Sequence, residues 1–302
     1  MRIGMAGLGR MGLNMARRLT QRGHTVVGFN KTPDRTREAE KEGIIGAYSL
    51  SELVTALPAP RVVWLMIPAG KPVDEAVSGL KGTLSKGDMV VDGGNSFYKD
   101  SLRRAEALGG SGIRFLDVGV SGGIWGLKEG YCLMAGGEKE TFDLIEPVLR
   151  ALAPPGGYLY CGPTGAGHFV KMVHNGIEYG LMEAYGEGFE LMKASGYGDG
   201  LDFRAIAGLW NRGSVVRSWL LELLTAAFEK DPGLSSIKGY VEDSGEGRWT
   251  VQEAVDTGVA VPAIAGALFR RFRSRQEDSF AEKVLAALRA EFGGHAVKPE
   301  RK

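Results

Sequence analysis

The sequence predicts an α/β half built on a doubly wound, mostly parallel sheet, followed by an all-α half. Three observations carry this. Short apolar runs alternate with helical stretches through the first half, a Gly-rich turn joins the first run to the first helix, and the second half shows helical periodicity without strand signals. The chain has 302 residues, enough for two domains of about 150 residues each. The expected division is 1–165 and 166–302, with the boundary near Pro163 to Gly167.

The first apolar run, Arg2 to Ala6, ends in Gly7-Leu8-Gly9-Arg10-Met11-Gly12 and a periodic helix around Asn14 to Arg22. Further runs follow at Thr25 to Phe29, Arg61 to Ile67, Met89 to Val91, Arg114 to Val118, Tyr131 to Ala135 and Gly157 to Tyr160. Helical segments separate most of them, and parallel strands need such crossovers. After Gly165-Ala166-Gly167 a long helix runs to about Ser195. Amphipathic segments at Ala205 to Trp210, Val215 to Phe228, Thr250 to Thr257, Pro262 to Arg273 and Ser279 to Phe292 make up the rest. The basic end, Lys298 to Lys302, is expected to fray.

Composition narrows the function classes. With 44% hydrophobic and 24% charged residues the chain is a folded globular protein. No run approaches the roughly 20 apolar residues of a membrane span. Lys and Arg number 37 against 36 Asp and Glu, a net +1, so no global field draws nucleic acid or anionic membrane and any anion site must be local. Cys132 and Cys161 form neither a disulfide framework nor a zinc site, and are expected to be core thiols. The opening residues lead directly into the Gly-rich turn, with no signal peptide, so a reducing, cytoplasmic setting is expected. No metal site is expected.

Gly7-Leu8-Gly9-Arg10-Met11-Gly12 is a G-x-G-x-x-G pattern with a strand before it and a helix after it. That is the context of a Rossmann-type dinucleotide site: Gly7 makes the turn, Gly9 admits a pyrophosphate, and Gly12 lets helix and strand touch. At the end of the second strand stands Asn30-Lys31-Thr32 rather than a carboxylate. Lys31, Thr32 and Arg35 suit a 2'-phosphate, which favours NADP over NAD and leaves dual use open. Ligands of parallel sheets bind at the carboxyl edge, where Ile67-Pro68-Ala69-Gly70, Asp92-Gly93-Gly94-Asn95-Ser96 and Gly119-Val120-Ser121-Gly122-Gly123 fall. Ile67 and Asn95 are the expected cofactor contacts there. Turn chemistry alone accounts for one such loop, whereas two small-residue loops at one edge favour binding.

On the long helix, Lys171, His174, Asn175, Glu178 and Tyr179 fall at i, i+3, i+4, i+7 and i+8, one face of a helix otherwise occupied by Phe169, Val170, Met172, Val173 and Ile177. A structural Lys171 to Glu178 ion pair accounts for two of the five. A site accounts for all: a shielded lysine serves as a base, a shielded carboxyl as an acid, and His174, Asn175 and Tyr179 orient a hydroxylated substrate. His24 and His168 are expected to carry no chemistry. Near the end, Arg270, Arg271, Arg273, Arg275 and Arg289 offer guanidinium forks, with the His295 imidazole after them, for a local anion site, or simply solvated helix charges.

Together these motifs resemble the 6-phosphogluconate dehydrogenases, in particular short-chain bacterial members with one helical domain. The resemblance runs nearly end to end, and Lys171 to Tyr179 is its most discriminating string, with Gly247-Arg248-Trp249-Thr250 and Arg289 to His295 beside it. It implies oxidative decarboxylation with Lys171 and Glu178 catalytic. Asn95, Ser121, Gly122, Gly123, His174 and Asn175 would hold the substrate's carboxylate and hydroxyls. Tyr179, Arg271, Arg289 and His295 would hold its phosphate. Arg289 and His295 would come from a neighbouring subunit, so a homodimer or a multiple of one is implied. Long-chain members carry a lysine where this chain has Ser244, a phosphate contact that is either missing here or supplied by Arg248. Many short-chain members carry an acidic residue at the end of strand two and are associated with NAD, unlike Asn30-Lys31-Thr32 here. The nearest rival is a 3-hydroxyacid dehydrogenase of the hydroxyisobutyrate or tartronate semialdehyde type, which lacks the phosphate clamp. A non-catalytic NADP(H)-binding regulator is a second rival, with no evident use for the Lys171 stripe.

Overall fold

The computed structural model describes residues 1–298, so most of the basic end lies outside the described residues. The chain divides into two units, Met1–Asn175 and Gly176–Lys302.

The first unit is an eight-stranded sheet in the order β3-β2-β1-β4-β5-β6-β7-β8. Its strands are β1 Arg2–Ala6, β2 Thr25–Phe29, β3 Ile45–Ala47, β4 Val62–Leu65, β5 Met89–Asp92, β6 Arg114–Ser121, β7 Cys132–Gly137 and β8 Tyr158–Gly162. All neighbours are parallel except β6 and β7, which run antiparallel with Ser121 opposite Cys132. The expected doubly wound sheet is present, with one strand that the sequence did not signal. Strand β3 spans only three residues with exposed Ile45, too short for a period to register.

Alternation along the strands sorts side chains onto two cores. Ile3, Met5, Val26, Trp64, Val91 and Leu116 pack on one face with α1 (Arg10–Gln21) and α7 (Lys139–Leu152). Val27, Val63, Leu65, Val90 and Phe115 pack on the other with α3 (Leu50–Thr55), α4 (Lys71–Lys81) and α5 (Tyr98–Gly109). The inner strands are buried on both faces, which is why they read as continuous apolar runs. The remaining crossover, α2 (Pro33–Glu40), leads to β3, and a 3-10 turn with α6 (Gly126–Glu129) leads to β7.

Helix α8, Ala166–Ala194, contributes its first residues to this unit. It is seated on the sheet by glycines and one carboxylate. A Cβ at Gly167 would lie 2.4 Å from the Met134 carbonyl oxygen, and one at Gly136 would lie 2.6 Å from the Gly167 nitrogen. Asp117, in mid β6 and fully buried, accepts hydrogen bonds from the Gly165 and His168 backbone N–H groups at 2.6 and 2.8 Å. These are amides that a helix start leaves without intrahelical partners, and the carboxylate also opposes the positive end of the helix dipole.

The second unit is helical, as expected: the rest of α8, then α9 (Phe203–Trp210), α10 (Trp219–Lys230), α11 (Glu246–Thr257), α12 (Pro262–Ser274) and α13 (Phe280–Gly293). Phe189, Ala207, Leu221 and Phe228 form one small core, and Tyr179, Ala267 and Leu268 another. Helix α10 starts later than Val215 because Ser218 caps it, accepting from the Leu221 N–H, and Val215 stays in solvent. Among the described residues no helix is long and apolar enough to cross a membrane.

The Asp117→Ala substitution leaves two buried amides without an acceptor and is expected to lower the unfolding free energy by about 3 kcal/mol. Urea denaturation measures this, and a loss below about 1 kcal/mol would contradict the anchoring role.

Candidate active site

The Gly-rich turn is shaped for a dinucleotide. Gly7 has φ +103°, and a Cβ there would lie 2.3 Å from the Met66 carbonyl oxygen; one at Gly12 would lie 1.9 Å from the Gly7 oxygen. Above Gly9, by contrast, a Cβ would meet nothing within 4 Å. The α1 N-terminus has no side-chain cap and no acidic residue in its first turn, so its N–H groups remain available to an anion. Beside it lies a cavity of about 500 Å³ whose lining includes Gly9, Arg10, Asn14, Arg17, Arg35 and Lys41. A tight turn, open space over Gly9 and a basic pocket fit a pyrophosphate and its flanking nucleoside.

Two expected cofactor contacts have partners within the protein. The Asn30 amide oxygen accepts from the Leu8 N–H at 3.0 Å and its nitrogen donates to the Thr32 carbonyl at 3.2 Å, so Asn30 shapes the Gly-rich turn from the next strand. Arg35 pairs with Glu38 one helical turn on. Lys31 and Thr32 are exposed, and Ile67 is half-buried after β4.

The Asp92–Ser96 loop is organised by groups that sequence patterning did not single out. Arg104 on α5 is 1% exposed and donates to Asp92 Oδ2 at 3.0 Å, Ser96 Oγ at 3.1 Å, Asp74 Oδ1 at 2.8 Å and the Gly70 carbonyl at 3.2 Å. One guanidinium thereby ties the loops after β4 and β5 together. Asn95 is exposed at the tip of its loop, while Ser121 and Gly122 are half-buried and Gly123 exposed after β6.

Three of the five residues of the polar stripe of α8 are buried, together with the apolar Met172. Lys171, Asn175 and Tyr179 are 7%, 7% and 5% exposed, whereas Phe169, Val170 and Ile177 are exposed. At Lys171 the sheet takes the polar side of the helix, because Gly119 on β6 leaves no side chain in the way. A Cβ on Gly119 would lie 2.3 Å from Lys171 Cβ. The Lys171 ammonium and His174 Nδ1 both meet Asn175 Oδ1, the latter at 3.0 Å. Cys132, expected in the core, is exposed at the start of β7, and Cys161 is half-buried. Desolvation pushes the Cys132 thiol pKa up, and the nearby Lys171 ammonium offsets part of this. His168 is buried with Nδ1 2.7 Å from Ser101 Oγ.

In the second unit Tyr179 and Arg271 are together: the guanidinium lies 3.6 Å from the ring centroid and donates to the Glu242 carbonyl at 3.0 Å. The Ser244 N–H donates to the Tyr179 hydroxyl at 3.1 Å. A Cβ on Gly247 would lie 2.5 Å from the Tyr179 ring, which accounts for that glycine. Arg248, the expected substitute phosphate contact, is instead held by Asp243 through Nε and Nη2 at 2.6 and 3.1 Å. Arg270, Arg273 and Arg275 are engaged by Glu183, Glu282 and Asp243. Glu178 is half-buried on α8. Arg289 and His295 are exposed on and just past α13, and no contact among the described residues brings them to Tyr179 and Arg271.

Comparison with known proteins decides the family. Residues 2–162 match the NAD binding domain of 6-phosphogluconate dehydrogenase, and residues 167–298 match the 6-phosphogluconate dehydrogenase C-terminal domain. The chain belongs to the 6-phosphogluconate dehydrogenase family. It is 46% identical over 298 residues to YqeC of Bacillus subtilis, which bears the family's name, with 99% of each chain covered. It is 44% identical over 299 residues, 98% of each chain, to an NAD(+)-dependent, decarboxylating 6-phosphogluconate dehydrogenase of Haloferax volcanii. Among solved structures, a Plasmodium falciparum 6-phosphogluconate dehydrogenase, described apo, with NADP+ and with 6-phosphogluconate, matches at TM-score 0.84 and 31% identity, covering all of this chain and 67% of that one.

Within this 6-phosphogluconate dehydrogenase fold, the residues that sequence reasoning missed are Asp117 and Arg104, and Gly119, named there as part of a ligand-binding loop, instead seats Lys171 from within β6. Asp117 had a signal, a lone carboxylate inside an apolar strand, which burial makes costly unless it is used. Arg104 had none, since a helix arginine is ordinary until its neighbours are known.

Two glycine variants separate scaffold from site. Gly119→Ala is expected to cost about 2 kcal/mol of stability, because the Lys171 Cβ must move. Gly9→Ala should leave stability within about 0.5 kcal/mol yet abolish the thermal shift given by NADP+ or NAD+, measured by differential scanning fluorimetry.

Proposed function

We propose that this chain catalyses the oxidative decarboxylation of 6-phospho-D-gluconate to D-ribulose 5-phosphate and CO2, reducing NADP+ in preference to NAD+. The observation that carries the reading is the seat of Lys171, a buried lysine set against Gly119 at the edge of a dinucleotide-binding sheet.

Bound over Gly9 and the α1 N-terminus, the nicotinamide dinucleotide supplies an acceptor for the hydrogen at C3 of the substrate. Neutral Lys171 takes the proton of the 3-hydroxyl as that oxygen becomes a carbonyl. The 3-keto acid then loses CO2, and Lys171, now charged, stabilises the developing oxyanion at C3. Glu178, two turns along the same helix, delivers the proton to C1 of the enediol. Asn175, through the oxygen that meets both Lys171 and His174, holds the base in line, and His174, Asn95, Ser121, Gly122 and Gly123 take the substrate's carboxylate and hydroxyls.

Tyr179 and Arg271 receive the phosphate, which a 3-hydroxyacid dehydrogenase would not need. For the cofactor, exposed Lys31 and Thr32, with Asn30 rather than a carboxylate at the end of β2, favour a 2'-phosphate. Free thiols suit a reducing, cytoplasmic setting.

The working unit in this proposal is a homodimer or a multiple of one, with Arg289 and His295 completing the neighbour's phosphate site. Helix α13 supports it: none of its residues is buried, and Phe280, Leu285, Leu288 and Phe292 are 79%, 61%, 59% and 94% exposed. Apolar surface of this kind on a single chain marks an interface.

Absorbance at 340 nm with 6-phosphogluconate and either cofactor, run alongside CO2 release, tests the reaction. Reduction coupled to CO2 is expected, faster with NADP+, and Lys171→Met should lower kcat by at least about 1,000-fold. Reduction without CO2 would point to a hydroxyacid dehydrogenase, and retained turnover in the lysine variant would remove it from the mechanism. Arg289→Ala should raise KM for 6-phosphogluconate about tenfold or more. Co-expressing it with Lys171→Met should restore part of the activity in mixed dimers, each of which keeps one intact site. No restoration would place Arg289 in its own subunit's site.

A further inference from the structure

The Ser121-Gly122-Gly123 loop is followed by a segment, through Gly130, that contributes no large buried side chain of its own. Its 3-10 turn, Gly123–Trp125, buries nothing, α6 buries only Gly126, and Ile124 and Trp125 are 52% and 47% exposed. Its backbone takes positive φ at Gly122 (+123°), Gly123 (+53°) and Gly130 (+94°). Such a segment needs anchors from outside itself to hold one shape.

The structure shows where they come from. Arg18, on α1 and 4% exposed, donates through Nη1 to the Leu127 and Lys128 carbonyls at 3.1 and 3.3 Å. A helix of four residues leaves its carbonyls without intrahelical partners, and the guanidinium caps them. Asn14, one turn earlier on α1, donates to the Ile124 carbonyl at 3.5 Å and accepts from Arg17 Nη1 at 3.0 Å. From the other side the segment closes on the fully buried ring of Tyr131, which a Cβ on Gly126 would approach to 2.0 Å.

We infer that Arg18 is a positioning residue that couples the helix beginning at the dinucleotide turn to the loop that holds the substrate, so that the Ser121-Gly122-Gly123 backbone is set by α1 rather than by its own sequence. It touches neither ligand in the proposed site. Its Nη1 acts on the loop carbonyls, and the loop acts on the substrate. The inference rests on the proposed 6-phosphogluconate chemistry only for its kinetic readout.

The test uses the full-length enzyme. Arg18→Met keeps the buried stem and removes the two donors; KM for 6-phosphogluconate should rise about tenfold, while the NADPH dissociation constant stays within about twofold. Arg18→Lys, which can still reach a carbonyl, should recover most of the loss. Gly126→Ala, which pushes on Tyr131 from the loop side and leaves α1 intact, should give the same split and serves if Arg18→Met does not fold. Hydrogen exchange over residues 122–130 should quicken in these two loss variants without a matching change in β1 or β2, an outcome that does not depend on the substrate. Unchanged KM and unchanged exchange in a folded variant, or a loss shared equally by cofactor and substrate, would overturn the inference. If wild-type protein does not turn over 6-phosphogluconate, the functional proposal fails while the exchange experiment still decides the role of Arg18.

Discussion

The contact on which the rest of the first unit's site depends is the seat of α8 on β6 and β7. Backbone meets backbone there, because Gly119, Gly136 and Gly167 have no side chains to hold the helix away. Asp117 supplies the polar half of the bond by accepting two amides at the helix start. Close packing of this kind is intolerant of an added methyl group, and it fixes Lys171 to the sheet with little freedom. A buried lysine is costly without a use or a partner, and the seat is what makes it possible to hold one 7% exposed at the carboxyl edge of a parallel sheet.

Buried charge organises the neighbouring loops by the same logic. Asp92 and Arg104 are 0% and 1% exposed, and together with Ser96 and Asp74 they satisfy one another. Removing one partner of such a pair leaves an uncompensated charge, at a cost of several kcal/mol. The net charge of +1 hides this arrangement. Basic residues gather locally, around the Gly-rich turn in one unit, where Glu42 and Glu38 pair with Arg17 and Arg35, and at Arg271 in the other, while Arg270, Arg273 and Arg275 are neutralised by nearby carboxylates.

Much of the fold was legible because parallel strands buried on both faces read as apolar runs, and the Gly-rich turn sits between strand and helix wherever it is used. What failed to register were features with no periodic signature. The three residues of β3 were too few, and the antiparallel turn of β7 depends on the course of the preceding segment rather than on its own residues. Cys132 was misplaced because a cysteine in an apolar run is ordinarily core, whereas this one stands at the open start of its strand.

The candidate site divides in the same way. The dinucleotide turn and the helix carrying Lys171 to Tyr179 on one face were legible along the chain, because spacing in sequence becomes spacing on a turn or helix through backbone geometry alone, and the family was legible as a resemblance carried by those motifs. Folding settled which residues of α8 are buried, that Asn30 shapes the Gly-rich turn, that Arg248 is held by Asp243, and that Arg18 caps a helix 109 residues away. The physical reason is that burial and hydrogen-bond partnership are properties of pairs of segments, and one segment's residues do not name the other.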